Sequence, residues 1–395
     1  MQSFTPIQKQ ERILSLDAIR GFSLLGIFII NMISFHSPFL YIDPYTWWKA
    51  PTDQMVYPWI DVFVQASFYP LFAMMFGYGL GIQQERAHMK GTSFYPFAIR
   101  RLMVLLIIGC IHAFLVWSGD ILINYALFGF LLLLFMRLSG KVLIWIGVLL
   151  FAIPQAFLSI LLILVSFVDQ SGVAYYADIQ GIENSISAYR EGGFNEIFKQ
   201  RFDDWFAVNG PSNIFFLLLS ILPMMLIGAG ASKMHALEKV RENKGKWILL
   251  LTLTLITGIV IKCLPYLFQK NLAYSYVQDA LGGPFLSVSY ASFIALLMLN
   301  GKLAKILKPL ATAGKMSLTN YLTQSIVGTL IFYSYGLGLY GGVTLLTGTW
   351  LAIGIFSIQV ILSEIWLSKF RYGPAEKLWR TLSYKGKENT VKKEA

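Results

Sequence analysis

Long apolar runs alternate with short polar connections along most of the chain. A helix needs about 20 apolar residues to cross the hydrocarbon core of a bilayer. None of the runs shows the strict alternation of half-buried strands, and an open sheet in lipid would leave its backbone edges unpaired. The pattern therefore predicts an all-α polytopic membrane protein with about ten transmembrane helices. The predicted spans are 16–35, 59–83, 98–117, 120–137, 142–168, 212–232, 247–267, 284–300, 316–334 and 345–367.

Composition supports a membrane protein and excludes a soluble one. Hydrophobic residues make up 56% of the 395 residues and charged residues only 13%. Soluble domains carry about 25% charged residues, so this chain cannot cover a soluble surface. The two cysteines, Cys110 and Cys263, lie in apolar runs, and no spacing of Cys and His predicts a metal site.

The distribution of basic residues predicts the orientation. With the N-terminus in the cytoplasm, all but six of the 32 lysines and arginines fall in cytoplasmic segments, as expected for a polytopic protein. The net charge of +11 then faces the inner leaflet, and nucleic acid is not the predicted partner. The first span is too long for a cleaved signal peptide. We therefore expect both termini in the cytoplasm and a multi-pass protein of the plasma membrane, of bacterial origin because no organelle signal is visible.

A polar, acidic segment divides the chain. It covers 169–211 and predicts one or two short surface helices on the external side. It would separate a five-helix half, 1–168, from a second five-helix half, 212–385, followed by a polar cytoplasmic tail, 386–395. The halves share no sequence repeat, so an inverted-repeat transporter is not indicated.

His112 is the strongest candidate for a catalytic residue. It lies late in the third predicted span, and Asp120 follows eight residues later, after a turn that folds the fourth span back. A carboxylate that orients an imidazole is the arrangement required of a general base. A structural hydrogen bond that closes the hairpin is the alternative. Asn124, one turn after Asp120, is a candidate substrate-binding residue.

Ionisable and amide groups in the first span are further candidates, because polarity in a membrane is costly. Asp17 and Arg20 share a face at the cytoplasmic start, either as a local ion pair or with Arg20 holding a phosphate. Arg100 and Arg101 follow on the same side, as topology signals or as phosphate ligands. Asn31 lies near the outer end of the span, either as a ligand or as a hydrogen bond between helices.

Two other features favour packing over chemistry. The glycines at 77, 79 and 81 superficially resemble a phosphate loop, but no strand precedes them, so close helix packing is predicted. Asn320 and Gln324 share a face of the ninth span, either as substrate ligands or as polar contacts between helices. The stretch 371–380 is predicted to be an amphipathic tail that lies at the membrane interface.

Several of these segments together resemble the YeiB-like membrane family, whose C-terminal half is a domain of unknown function (418). The resemblance lies in LDAIRGF at 16–22, LF…FGYG at 71–79, GCIHA at 109–113 with GDIL at 119–122, and MSLTNYL…QS at 316–325. It covers nearly the whole chain and implies the fold more than an activity.

The opening Asp-x-x-Arg-Gly, with Asn31 fourteen residues after the aspartate, is also similar to heparan-alpha-glucosaminide N-acetyltransferase and its bacterial relatives. That resemblance implies transfer of an acyl group from cytoplasmic acyl-CoA to an acceptor on the far side of the membrane. It also implies a histidine after the first span as the catalytic group, and His36 is the histidine in that loop.

The leading hypothesis is thus a transmembrane acyltransferase with an envelope sugar or lipid as acceptor. Acyl-CoA is its possible co-substrate, and no other cofactor and no metal are predicted. His112 or His36, with Asp120, would deprotonate the acceptor. A small-molecule transporter or a non-catalytic membrane partner is the alternative, and the sequence does not indicate the oligomeric state.

Overall fold

The computed structural model of the protein describes residues 13–384, so the predicted tail at 386–395 lies outside the described residues. Within that range the chain consists of helices joined by turns, with no strand, and the predicted all-α polytopic fold is confirmed. The helices are α1 (Leu14–His36), α2 (Pro51–Phe63), α3 (Phe68–Met89), α4 (Phe94–Ile111), α5 (Leu122–Phe135), α6 (Gly140–Val168), α7 (Ile179–Glu191), α8 (Phe194–Asn209), α9 (Ile214–Lys233), α10 (Lys244–Lys262), α11 (Leu264–Leu267), α12 (Leu272–Val277), α13 (Gly283–Leu297), α14 (Gly301–Lys315), α15 (Ser317–Phe332), α16 (Leu345–Lys369) and α17 (Pro374–Ser383).

Eight helical segments of the described chain are long and apolar enough to cross a membrane. Five are the single helices α1, α6, α9, α10 and α16, and three join consecutive pieces as Pro51–Met89, Phe94–Val116 and Leu272–Leu297. The predicted spans at 120–137 and 316–334 are the shorter helices α5 and α15, with 14 and 16 residues. At 1.5 Å per residue they rise about 21 and 24 Å, less than the roughly 30 Å of hydrocarbon. The number of spans therefore stays a prediction.

The predicted span at 59–83 is wrong as a single helix, because the chain breaks between α2 and α3. Ala66 has a φ of 55°, in the left-handed region that a non-glycine residue rarely occupies. Gly283 lies against this turn, where an added Cβ would be 2.3 Å from the Ala66 carbonyl oxygen. No glycine marks the left-handed position, so the apolar run conceals the break.

Helix α1 occupies the centre of the bundle and packs against α3, α13, α14, α15 and α16. In the most apolar stretch of α1, 61% of the residues are buried. In the corresponding stretches of α6 and α10 only 11% are buried, so most of the surface of these two helices is left for lipid. Helix α14, which the sequence pattern did not predict, packs on α1 at Gly21. A Cβ there would lie 2.0 Å from the Leu310 carbonyl oxygen, so only glycine allows this approach.

The glycines of α3 pack helices and form no loop, as predicted. A Cβ on Gly77 would lie 2.0 Å from the Met225 carbonyl oxygen of α9, and a Cβ on Gly228 would lie 1.9 Å from that of Met74. The two helices therefore approach each other backbone to backbone, as small residues permit in membrane proteins. Helix α9 in turn packs on α6 and α5.

The predicted surface helices are α7 and α8, and they lie over the end of the bundle where α1 finishes. The backbone N–H of Asp178 donates to the Tyr41 carbonyl, and that of Ser334 donates to the Tyr189 carbonyl. We call this end of the bundle the capped side. The opposite end, where α1 begins, is called the basic side.

Candidate functional site

A large cavity opens on the basic side, with an empty volume of about 1630 Å³ that includes its solvent-open mouth. One face of α1 forms its wall from Asp17 through Arg20 and Leu24 to Ile27, at the three- and four-residue spacing of a helix face. Helices α3, α4, α5, α14, α15 and α17 supply the other walls. We call it the basic-side cavity.

Cationic side chains surround the basic-side cavity, and two carboxyl groups accompany them. Asp17 and Glu376 are the two acids. The positive excess in a largely apolar enclosure favours an anionic ligand, because such walls strengthen electrostatic attraction. The cations that line it are Arg20, Arg86, Arg101, Lys315 and Arg380.

Arg20 reaches across to α3. Its Nη2 donates to the Met75 carbonyl at 3.2 Å, and its Nη1 lies 3.7 Å from the Asp17 carboxylate, as the predicted i, i+3 pair. Gly79 makes the crossing possible, since a Cβ there would lie 2.8 Å from the guanidinium. Arg20 is thus held at the cavity wall by contacts from two helices.

Helix α17 forms one wall of the cavity. The Arg101 guanidinium lies 3.5 Å above the Trp379 ring, and the indole N–H donates to the Arg101 carbonyl at 2.8 Å. Arg380 stacks on Tyr372 at 4.1 Å. The predicted amphipathic tail is therefore a helix docked on α4. Arg100 lies outside the lining residues and donates from Nε to the Ser383 carbonyl at 3.3 Å.

Glu376 fastens α17 to the start of α15. Its carboxylate accepts the backbone N–H groups of Leu318 at 2.7 Å and Thr319 at 3.1 Å, and also the Thr319 hydroxyl. These are N–H groups that have no acceptor within the helix, so the carboxylate acts as a cap from another element. Burial is the main cause that raises the pKa of Glu376 above its ordinary value.

His112 and Asp120 meet as predicted. His112 begins a π-helical turn, His112–Val116, a rare form that often occurs at functional sites. Its Nδ1 lies 2.7 Å from Asp120 Oδ1, and both side chains are almost completely buried. Asp120 Oδ2 accepts the backbone N–H of Ile123 at 2.8 Å, which fixes the carboxylate at the start of α5.

The other imidazole nitrogen, His112 Nε2, is buried and has no hydrogen-bond partner among residues 13–384. Leaving a buried polar atom unpaired costs about 1–3 kcal/mol. The Tyr321 ring lies 5.1 Å from the imidazole, and its hydroxyl is 3.3 Å from the Gly119 carbonyl and from the Ile121 N–H. Asp120 is thus the orienting partner, and Nε2 remains available.

Tyr321 also connects two cavities. With Ile27 and Ile121 it lines both the basic-side cavity and a smaller space nearer the capped side, of about 450 Å³ including its open mouth. We call the smaller space the capped-side chamber. Asn31 lines it, and no charged residue does. Its full lining is Ile27, Ile30, Asn31, Val64, Ala66, Phe68, Tyr69, Gly119, Ile121 and Tyr321.

His36 lies elsewhere. It is fully buried between Trp48 and Phe332, with ring centroids 6.1 and 5.8 Å away, and it lines neither cavity. Both of its ring nitrogens lack a hydrogen-bond partner in the described chain. The backbone approaches closely here, since a Cβ on Gly348 would be 2.7 Å from Nε2. A catalytic role for His36 stays a prediction that this packing does not favour.

The remaining amide candidates make contacts between helices. Asn124 donates to Asn209 of α8 at 2.7 Å, which joins the start of α5 to the cap. Asn320 donates to the Ala313 carbonyl and to Ser363, both at 3.1 Å. Gln324 donates to Gln359 at 3.0 Å. Their proposed role as ligands is untested, and these bonds match the packing alternative.

A second cluster of ionisable groups was not predicted from the sequence. Lys262 and Asp61 in this cluster are buried, whereas Asp279 is partly exposed. Lys262 is fully buried, and its Nζ lies 2.7 Å from Asp279 Oδ1 and 3.0 Å from the Gln65 carbonyl. Asp61 lies nearby, buried late in α2, and accepts the Tyr266 hydroxyl at 2.7 Å and Gln278 Nε2 at 2.9 Å.

Comparisons with known proteins identify relatives over the full length. A family model described as a protein of unknown function (DUF418) matches residues 231–386. The chain is 36% identical to the uncharacterized protein YxaH of Bacillus subtilis, over 100% of this chain and 99% of the relative. It is 29% identical to the uncharacterized protein YeiB of Escherichia coli, over 97% and 99%.

Proposed function

Since the chain belongs to the YeiB-like, DUF418-containing family of bacterial membrane proteins, whose relatives' names assign no activity, we propose a function from its own geometry. We propose that it is a transmembrane acyltransferase. Acyl-CoA would enter the basic-side cavity, and His112 with Asp120 would activate the acceptor. The basic side would face the cytoplasm of the plasma membrane, in accordance with the distribution of lysine and arginine.

One observation supports this proposal above the others. A buried imidazole is oriented by a carboxylate at 2.7 Å, keeps its second nitrogen unpaired among the described residues, and lies against Tyr321, a residue that lines both cavities. A structural hydrogen bond alone does not require the unpaired nitrogen. His112 itself lines neither cavity and adjoins them through its contact with Tyr321. General bases of this kind typically accelerate reactions about 10²–10⁴-fold.

The donor side of the site suits a coenzyme A thioester. Its phosphates are anionic and would meet Arg20, Arg86 and Arg101 at the cavity wall. Arginine binds phosphate oxygens with two parallel N–H groups, which gives both attraction and orientation. The apolar depth beyond Leu24 would hold the uncharged arm of the donor.

The reaction balances without any further reagent. His112 Nε2 takes the proton from a hydroxyl or amine of the acceptor, whose oxygen or nitrogen forms a bond to the acyl carbon. The carbon–sulfur bond breaks, and the CoA sulfur leaves with the proton that the imidazole returns. Asp120 stabilises the transient imidazolium, as the carboxylate of a catalytic triad does. The acceptor would be an envelope sugar or lipid that arrives from the capped side.

Binding of acetyl-CoA to the purified full-length protein tests the donor site, by calorimetry in detergent. We expect Arg20→Ala and Arg86→Ala each to weaken binding roughly 10-fold or more, the equivalent of one charge-assisted hydrogen bond. Arg241→Ala is the matched control, since Arg241 is exposed and lies outside the cavity lining. Absence of binding in folded wild-type protein would refute the proposal.

The cluster of the buried Lys262 and Asp61 with the partly exposed Asp279 favours a second candidate, a proton-coupled transporter. Ionisable groups buried in membrane proteins often form proton pathways. Proteoliposomes with a pH-sensitive dye inside would reveal this activity as proton entry after an external acid pulse. The transporter candidate requires that entry to fall at least about tenfold in Asp61→Asn. Equal entry in the variant and in protein-free vesicles would exclude it.

A further inference from the structure

The capped-side chamber lies at the position that the acyl group of a bound acyl-CoA would occupy. This inference rests on the proposed function. With the phosphates of the donor at Arg20 and its thioester at Tyr321, the acyl group extends away from the coenzyme. The space beyond Tyr321 and Ile121 is the capped-side chamber.

We propose that the capped-side chamber is an acyl-binding pocket, and that its size restricts the enzyme to short acyl groups. No charged residue lines it, and six of its lining residues are aliphatic or phenylalanine. An uncharged, largely apolar group fits such a lining, whereas the cationic basic-side cavity suits the phosphates. The two cavities thus differ in charge as the two ends of a short-chain acyl-CoA do.

Geometry along α1 supports the size limit. The basic-side cavity follows α1 from Arg20 to Ile27, about 10 Å at 1.5 Å per residue. The capped-side chamber follows it only from Ile27 to Asn31, about 6 Å. A long acyl chain extends through roughly 15 Å, half of the ~30 Å hydrocarbon core. Such a chain would exceed the extent of the chamber along α1 by more than twofold.

Asn31 gives the chamber a single amide among its apolar walls. It lies half-buried on the same face of α1 as Ile27. An amide at this position can donate to the carbonyl oxygen of a short acyl group or to the oxygen of the arriving acceptor. Binding of the acyl end is then directional as well as apolar.

Ile30 is the residue to change, because it lines the chamber and not the basic-side cavity. Ile30→Phe would narrow the chamber, and Ile30→Ala would enlarge it. Ile29→Ala is the matched control, since Ile29 is the neighbouring isoleucine with similar partial burial and lies outside the lining. One methylene in a pocket changes affinity about 10-fold or more.

The experiment measures dissociation constants of CoA, acetyl-CoA, butyryl-CoA and palmitoyl-CoA in detergent, corrected for partition into protein-free micelles. We expect wild type to bind acetyl-CoA and butyryl-CoA at least as tightly as CoA, and palmitoyl-CoA roughly tenfold more weakly. Ile30→Phe should weaken butyryl-CoA about tenfold and leave CoA unchanged, whereas Ile30→Ala should improve palmitoyl-CoA. Ile29→Ala should match wild type.

The outcomes separate this inference from the proposed function. Equal affinity for all chain lengths, unaltered in both Ile30 variants, would overturn the acyl pocket while the donor site stands. Binding of no CoA species to folded protein would overturn the proposed function and this inference with it.

Discussion

Single residues determine whether the cavity can hold an anion, and Gly79 is the clearest case. Arg20 crosses α3 only because position 79 has no side chain, and the guanidinium meets the Met75 carbonyl there. Charge alone therefore does not define the donor site. The position of that charge depends on a glycine that the sequence analysis assigned only to helix packing.

Gly79→Ala should weaken acetyl-CoA binding without removing any charge. The new methyl group would lie 2.8 Å from the Arg20 guanidinium, a flexible group that can move away while the helix stays intact. We expect a loss of about 3- to 10-fold, because one hydrogen bond that positions the arginine is broken. Calorimetry measures the affinity, and circular dichroism confirms the helical content.

Gly354→Ala is the control for that substitution. Nothing lies within 4 Å of a Cβ at Gly354 in α16, so the methyl group should only raise helix propensity, by up to about 1 kcal/mol. Its acetyl-CoA affinity should equal that of wild type. Equal affinities in Gly79→Ala and Gly354→Ala would show that the position of Arg20 does not matter for the donor.

Glu376 gives a pH-dependent prediction. Burial is the main cause that raises the pKa of Glu376 in the folded protein. The protonated carboxyl group therefore stabilises the fold fully below the unfolded-state pKa of about 4.3. This stabilisation is lost as the pH rises through the raised pKa of the folded state. Glu376→Gln does not titrate. Relative to wild type, the variant should therefore gain thermal stability between pH 4 and pH 8. If the melting temperature of Glu376→Gln instead fell relative to wild type over this pH range, burial would not be the origin of the raised pKa.

At the scale of elements, helix α8 holds the turn that contains His112. Arg201 of α8 is buried, donates to the Leu115 carbonyl of the π-helical turn at 2.9 Å and to the Tyr335 hydroxyl at 3.0 Å. The bond from Asn124 to Asn209 joins α8 to the helix after Asp120. The cap is therefore a structural support of the candidate active site.

Arg201→Met should loosen the His112 turn without changing donor binding. The Leu115 carbonyl would lose its donor, a loss worth about 1–3 kcal/mol. Hydrogen exchange of residues 112–124 should accelerate, while acetyl-CoA affinity on the basic side stays as in wild type. Lys199→Met, at an exposed position of the same helix, is the control. Unchanged exchange in Arg201→Met would show that α8 does not support the turn.

At the scale of the molecule, the sequence predicted what depends on local pattern. The apolar runs predicted an all-α membrane fold, and the Gly119 turn predicted the approach of His112 and Asp120, since both lie within one hairpin. Partners distant in sequence could not be inferred. Tyr321 lies about two hundred positions after His112, and Lys262 lies about two hundred positions after Gln65, whose carbonyl accepts its Nζ.

The sequence pattern also did not predict the helix breaks that lie inside apolar runs. The left-handed backbone at Ala66 depends on packing against Gly283 of a distant helix, so neither composition nor periodicity marks it. Helix α14 is amphipathic and contains four lysines, so its sequence resembles an ordinary polar connection, although the helix packs against α1. The wall that α17 contributes to the basic-side cavity likewise depends on packing against a helix that is distant in sequence, α4.

The most direct test is release of CoA thiol from acetyl-CoA by the full-length protein in liposomes that contain a bacterial membrane lipid extract. The account predicts release above that of protein-free liposomes. It also predicts a reduction of about 10²–10⁴-fold in His112→Gln and a smaller reduction in Asp120→Asn. His88→Gln, at an exposed position in the last turn of α3, should retain the wild-type rate. Equal release by wild type and His112→Gln would contradict the account.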